Sequence, residues 1–180
     1  MKKFGYMIVA LSVVGATALL TAPLSALQKQ PVSPHEKVSG KIGTNEITID
    51  YGRPNAKGRK IWGTLVPYGK AWRAGADLAT TLTTQEPIMI GDAAVPAGKY
   101  TLYMVPEEKG TSKLAISKTV GKWGIPVDEK NDLARVDMKK ETLPKQVEQF
   151  TIALEPTAGG AALKMMWEDA VFWVPVTAKK

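Results

Sequence analysis

Between positions 51 and 77 stand the residues best suited to recognition: Arg53, Arg59, Trp62, Trp72, Arg73 and Asp77. Arginine presents a planar fork of donors that matches a carboxylate or phosphate, and tryptophan offers a flat face to a sugar or a cation. The surrounding segment is basic throughout. Residues 51–76 hold Arg53, Lys57, Arg59, Lys60, Lys70 and Arg73 without an acid, together with Tyr51 and Tyr68. Asp77 follows them, and an acid near an arginine suits structure or binding better than general acid catalysis. The same residues also have an internal use. Their forks can satisfy loop carbonyls and Asp77, and their tryptophans can plug the open end of a β-sandwich.

Catalysis has little else to draw on. The 180 residues contain no cysteine, which excludes disulfides, thiolate nucleophiles, cysteine-ligated zinc and iron–sulfur clusters. The single histidine, His35, excludes multi-histidine metal sites within one chain. Any Ser-His-Asp triad would have to use it, yet it lies beside Pro34 in a lead-in segment and no Gly-x-Ser-x-Gly elbow accompanies it. Gly52 and Gly58 bracket the basic segment without the Gly-Lys-Ser/Thr ending of a P-loop, and no Gly-x-Gly-x-x-Gly fingerprint occurs. The acidic cluster Asp128, Glu129, Asn131 and Asp132 fails the EF-hand pattern, because Lys130 takes the third position and no glycine follows. A carboxylate-pair glycosidase needs two acids across a cleft, and Asp77 is the only acid near the basic segment. No catalytic residue, metal ligand or cofactor is therefore assigned.

The elements that must hold this segment read as strands. Ile47, Ile49 and Tyr51 alternate with Glu46, Thr48 and Asp50, the period of a half-buried strand. The pattern recurs at Leu114 and Ile116, at Ala134, Val136 and Met138, at Phe150, Ile152 and Leu154, and at Leu163, Met165 and Trp167. Tyr100 to Val105 is almost continuously apolar and reads as buried on both faces. Gly43-Thr44-Asn45, Gly91-Asp92, Pro96-Ala97-Gly98, Pro106-Glu107-Glu108 and Gly159-Gly160 supply turns between them. Val171 to Val176 closes the series, and Pro175 suggests an edge strand. About eight or nine short strands without a long helical stripe predict an all-β, antiparallel β-sandwich, with a short barrel or jelly roll as the alternative. Residues 27–45 are expected to form an extended lead-in and first strand, and 46–180 a single sandwich domain. Within it, 51–77 is a long irregular loop linking two parts of the sheet. Long ordered loops on rigid scaffolds are where binding sites concentrate.

The first residues read as an export signal, with a transmembrane anchor as the alternative, against which Gly5, Ser12, Gly15 and Thr17 dilute the apolar run. Lys2 and Lys3 precede an apolar run from Phe4 to Leu20, Pro23 breaks the run, and small residues follow at Ser25 and Ala26. A signal peptide over 1–26, cut at Ala26–Leu27, is expected. Its removal lowers the net charge from +7 to +5, since Lys2 and Lys3 are the only charges in it. A lipoprotein is excluded by the missing cysteine, and no second apolar span follows. The mature protein is therefore expected to be soluble, in the periplasm or secreted. Nucleic acid does not fit that compartment. An anionic glycan or another anionic envelope component does.

The run Tyr51-Gly52-Arg53-Pro54, Lys57-Gly58-Arg59, Ile61, Gly63, Leu65-Val66-Pro67-Tyr68-Gly69, Trp72-Arg73, Gly75-Ala76-Asp77 and Thr80-Thr81 resembles the signature of the bacterial domain-of-unknown-function family numbered 2911. Val95 to Leu102 and the Trp123-Gly124 pair resemble it too. The likeness covers essentially the whole mature chain. It implies exported bacterial proteins with a β-rich body and carries no activity, substrate or catalytic residue. The leading expectation is thus an exported non-catalytic module that binds an anionic or glycan-like ligand, or an envelope partner, through 51–77. One alternative is a structural or assembly protein that uses the loop as internal scaffold. A second is an envelope hydrolase using Asp77 with Arg73 or Arg53 as an electrostatic clamp.

Overall fold

The computed structural model describes residues 32–121 and 125–179. The expected signal peptide, the Ala26–Leu27 bond and the Trp123-Gly124 pair lie outside the described residues. The fold is nearly all antiparallel β, in one open sheet of nine strands, as the alternation predicts. In chain order these are β1 (His35–Ile42), β2 (Asn45–Gly52), β3 (Thr81–Thr84), β4 (Ile88–Ile90), β5 (Ala93–Val95), β6 (Gly98–Val105), β7 (Ser112–Ser117), β8 (Asp132–Thr157) and β9 (Gly160–Ala178). One short 3-10 turn at Glu129–Asn131 precedes β8.

Across the sheet the order is β1-β2-β3-β6-β7-β8-β9-β4-β5. The sandwich-like character comes from β8. Its first residues, through Met138, pair with β7, and from Lys139 onward it pairs with β9. One strand thus passes between two layers, and the opposite end of the sheet folds back on it. β1 lies against β8 and β9 without pairing to either. The approach is tight, since a β-carbon on Gly40 would stand 3.0 Å from the Leu154 β-carbon.

Alternation explains the burial. In β2, Ile47, Ile49 and Tyr51 face the core while Glu46 and Asp50 face water. In β6 three consecutive residues, Leu102, Tyr103 and Met104, are buried, so this central strand is covered on both faces. Two expectations need correction. The runs at 134–138 and 150–154 are one strand, as are those at 163–167 and 171–176, because β8 and β9 continue through irregular register instead of turning. Pro175 is not on an edge strand, since β9 lies between β8 and β4. Pairing with β8 ends at Trp173, so the proline has no ladder donor to lose there, and its carbonyl accepts from the Gly91 amide.

Candidate ligand cleft

The basic segment is the connection between β2 and β3, residues 53–80. Tyr51 and Gly52, expected within it, are the last residues of β2. Because β2 and β3 are neighbours, this is a greatly enlarged hairpin connection, and its backbone must find partners outside the ladder. It finds them in β8. The β8–β9 register slips between Thr142 and Val147 and again between Val147 and Thr151. The freed stretch binds the loop: the Ala56 amide donates to the Glu148 carbonyl at 2.8 Å and the Phe150 amide to the Pro54 carbonyl at 2.9 Å. Lys57 (φ 52°) and Gly58 (φ 69°) then make a tight turn closed by the Arg59 amide on the Ala56 carbonyl at 3.1 Å. A second anchor lies on β6, where Trp72 and Met104 exchange both backbone bonds, at 2.7 and 2.9 Å.

The tryptophans fill the space under the loop. Trp62, 5% exposed, donates its Nε1–H to the Trp167 carbonyl at 3.0 Å and packs on Phe172 with centroids 4.8 Å apart. Trp72 stacks on Trp167 at 5.7 Å and takes edge contacts from Phe150 and Trp62. These rings form one aromatic cluster continuous with the core.

The three arginines are used differently. Arg53 is fully committed: Nε donates to the Phe150 carbonyl at 3.1 Å, Nη2 to Thr151 Oγ1 at 2.8 Å, and Nη1 pairs with Glu36 at 2.5 Å. Arg59 is exposed, and it caps its own turn through Nε on the Ala56 carbonyl and Nη2 on the Asn55 carbonyl. Arg73 is half-buried, and among the described residues its side chain makes a single hydrogen bond, from Nε to the Gly75 carbonyl at 3.1 Å. Burial pushes its guanidinium below the ordinary arginine value, and the nearby Asp77 carboxylate opposes that shift. Asp77, 7% exposed and at φ 61°, accepts the Val32 and Ser33 amides on Oδ2 at 2.9 and 2.8 Å, so it ties the lead-in to the loop.

An open cleft of about 490 Å³ lies between the lead-in and the two ends of the loop. Arg53, Arg59, Trp72, Arg73 and Asp77 all line it, while Trp62 does not. Lys57, Leu65, Ile125 and Trp167 line it as well. In the sequence Leu65 stands out only as part of the family signature and Ile125 not at all, and Trp167 reads there as an ordinary core position of a strand. On its other side Arg73 borders a small cavity of about 20 Å³ with Tyr103, Ser117 and Thr119, room for about one water. Among the described residues no group of three or more His, Cys, Asp or Glu side chains is arranged to hold a metal ion. No described helix is long and apolar enough to cross a membrane.

Residues 33–176, most of the chain, match the family described as protein of unknown function (DUF2911). The chain belongs to that family. The matched span takes in every strand residue from His35 to Val176 and the whole of the 53–80 loop, so the cleft is built from DUF2911 residues apart from Val32. No curated protein and no solved structure matches the chain.

Proposed function

We propose that the chain is an exported, non-catalytic binding module that captures an anionic ligand in the cleft beside the 53–80 loop. The observation that carries this reading is the state of Arg73. A half-buried guanidinium has lost part of its hydration, and both of its terminal nitrogens are without a protein partner among the described residues. An arriving anion supplies that partner and offsets the desolvation already incurred. Lys57 and Arg59 add positive charge to the same walls, while Arg53 is neutralised by Glu36. Export, read from Lys2, Lys3 and the apolar run after them, matches the site to anionic envelope components such as glycans or lipids.

The scaffold reading has its own support in Arg53 and Trp62, whose polar atoms are bound to β8 and β9. The loop divides accordingly: Arg53, Trp62 and Asp77 hold it in place, and Arg73 is left for a ligand. Asp77 Oδ2 accepts the lead-in amides of Val32 and Ser33 and lies 3.9 Å from His35 Nε2, so its carboxylate serves to hold the lead-in against the loop.

Calorimetric titration of the mature protein with oligogalacturonate, inorganic phosphate and octanoate tests the proposal. At least one should bind, more weakly as salt is raised, and Arg73→Ala should weaken it about tenfold or more, the worth of a charge-assisted bond. Equal binding by wild type and Arg73→Ala would overturn the assignment.

A further inference from the structure

The largest exposed apolar side chains of the described residues are Val32, Leu65, Leu78, Val120 and Ile125. Three of them line the Arg73 cleft: Val32 at 88% exposure, Leu65 at 42% and Ile125 at 57%. Scattered exposed apolar residues need no explanation, but a cluster around one concavity marks a surface that is covered in use. These three come from the lead-in, the middle of the loop and the segment before the 3-10 turn. No single element's periodicity brings them together.

Resting on the reading of the cleft as an anion site, we propose that its ligand is an aliphatic carboxylate, its head on Arg73 and its chain on Val32, Leu65 and Ile125. Three observations select this chemistry. The bond from Arg73 Nε to Gly75 leaves the two terminal nitrogens as a pair, the spacing that a single carboxylate takes in bidentate fashion. The Asp77 carboxylate, close enough to act on the Arg73 charge, penalises an anion of higher charge. A sugar would need an open aromatic face, yet Trp62 is buried and the Trp72 ring is engaged by Trp167, Phe150 and Trp62. The exposed large apolar side chains on the cleft, Val32, Leu65 and Ile125, are all aliphatic. At about 490 Å³ the cleft also falls within the usual range for small-ligand sites, about 300–1,000 Å³.

A chain-length series separates this inference from anion capture alone. Butanoate, hexanoate, octanoate and decanoate are titrated calorimetrically into wild type, Arg73→Ala and the double variant Leu65→Ser with Ile125→Ser, after melts show that each variant is folded. Wild-type affinity should rise about three- to fourfold per methylene. Arg73→Ala should weaken every member, and the double variant should flatten the dependence on length. If butanoate and decanoate bind alike, or oligogalacturonate binds more tightly than decanoate, the aliphatic assignment falls and anion capture stands. Tighter binding of an N-acetylated leucine peptide than of decanoate would replace the acyl chain with a peptide carboxyl terminus and overturn the proposal. If no anion binds wild type, both readings fall together.

Discussion

Gly52 and Ala76 meet backbone to backbone. The Ala76 amide donates to the Gly52 carbonyl at 3.3 Å, and a β-carbon on Gly52 would lie 2.2 Å from the Ala76 carbonyl oxygen. The contact draws the far end of the loop down onto the last residue of β2, which brings Arg73 and Asp77 to the same cleft as Arg53. Gly52→Ala must therefore push two backbone segments apart, and no flexible side chain is there to yield. A loss of about 3 kcal/mol, the upper end of overpacking costs, is expected in urea or thermal melts. A wild-type melting curve would mean that the loop base is loose.

Arg53 and Arg73 are expected to respond in opposite ways to truncation. Arg53→Ala strands the Phe150 carbonyl and removes the ion pair of Glu36, which keeps only the Tyr51 hydroxyl, a cost of about 1–3 kcal/mol. Arg73→Ala removes one bond to Gly75 together with a poorly hydrated cation, so its stability should stay within about 1 kcal/mol of wild type. Parallel thermal melts decide between them. Equal losses in both variants would make Arg73 a second anchor.

The strands were legible in the sequence because half-buried strands alternate visibly, as Ile47, Ile49 and Tyr51 do. The continuity of β8 and β9 was not. Leu143-Pro144 interrupts the alternation at the point where the register slips, and a bulge reads like a turn when its partner is unknown. The basic loop stood out by charge and aromatic content, and five of its six candidate residues, Trp62 excepted, share the cleft. Which arginine is an anchor depends on Phe150, Thr151 and Glu36, far away in the chain, so no local pattern could assign it. The apolar rim of Val32, Leu65 and Ile125 was hidden for the same reason.

Trp62 should behave as a core residue. Its ring contacts Trp72 and Phe172, and its Nε1–H satisfies the Trp167 carbonyl. Trp62→Ala is expected to cost about 3–5 kcal/mol. Trp62→Phe keeps a ring but orphans the carbonyl, for about 1–3 kcal/mol. Chemical-denaturation curves give both values, and an undestabilised Trp62→Ala protein would remove the aromatic cluster from the account of the loop.

Stability should fall at alkaline pH. Burial, and then the hydrogen bond its hydroxyl donates to Asp132, raise the Tyr103 phenol well above its ordinary value of 10.0, and burial raises Tyr51 in the same direction. Above about pH 10 the unfolded chain releases these protons while the folded chain keeps them. The folded state then binds more protons, so this contribution is fully present below about pH 10 and is lost as the pH climbs further. Urea melts from neutral to strongly alkaline pH, with tyrosinate absorbance followed in parallel, should show the decline. The slope should be shallower in Tyr103→Phe, and stability that is flat across that range would contradict the burial of these phenols.

Side-chain nitrogen NMR of the arginines during a decanoate titration tests the division of labour in the loop most directly, with the signals assigned through Arg53→Lys and Arg73→Lys. The Arg73 terminal nitrogens should shift and sharpen as the ligand saturates, while the Arg53 signals, already fixed by Phe150, Thr151 and Glu36, stay in place. Movement of Arg53 with Arg73 unchanged would contradict the assignment of Arg73 as the residue that meets the ligand.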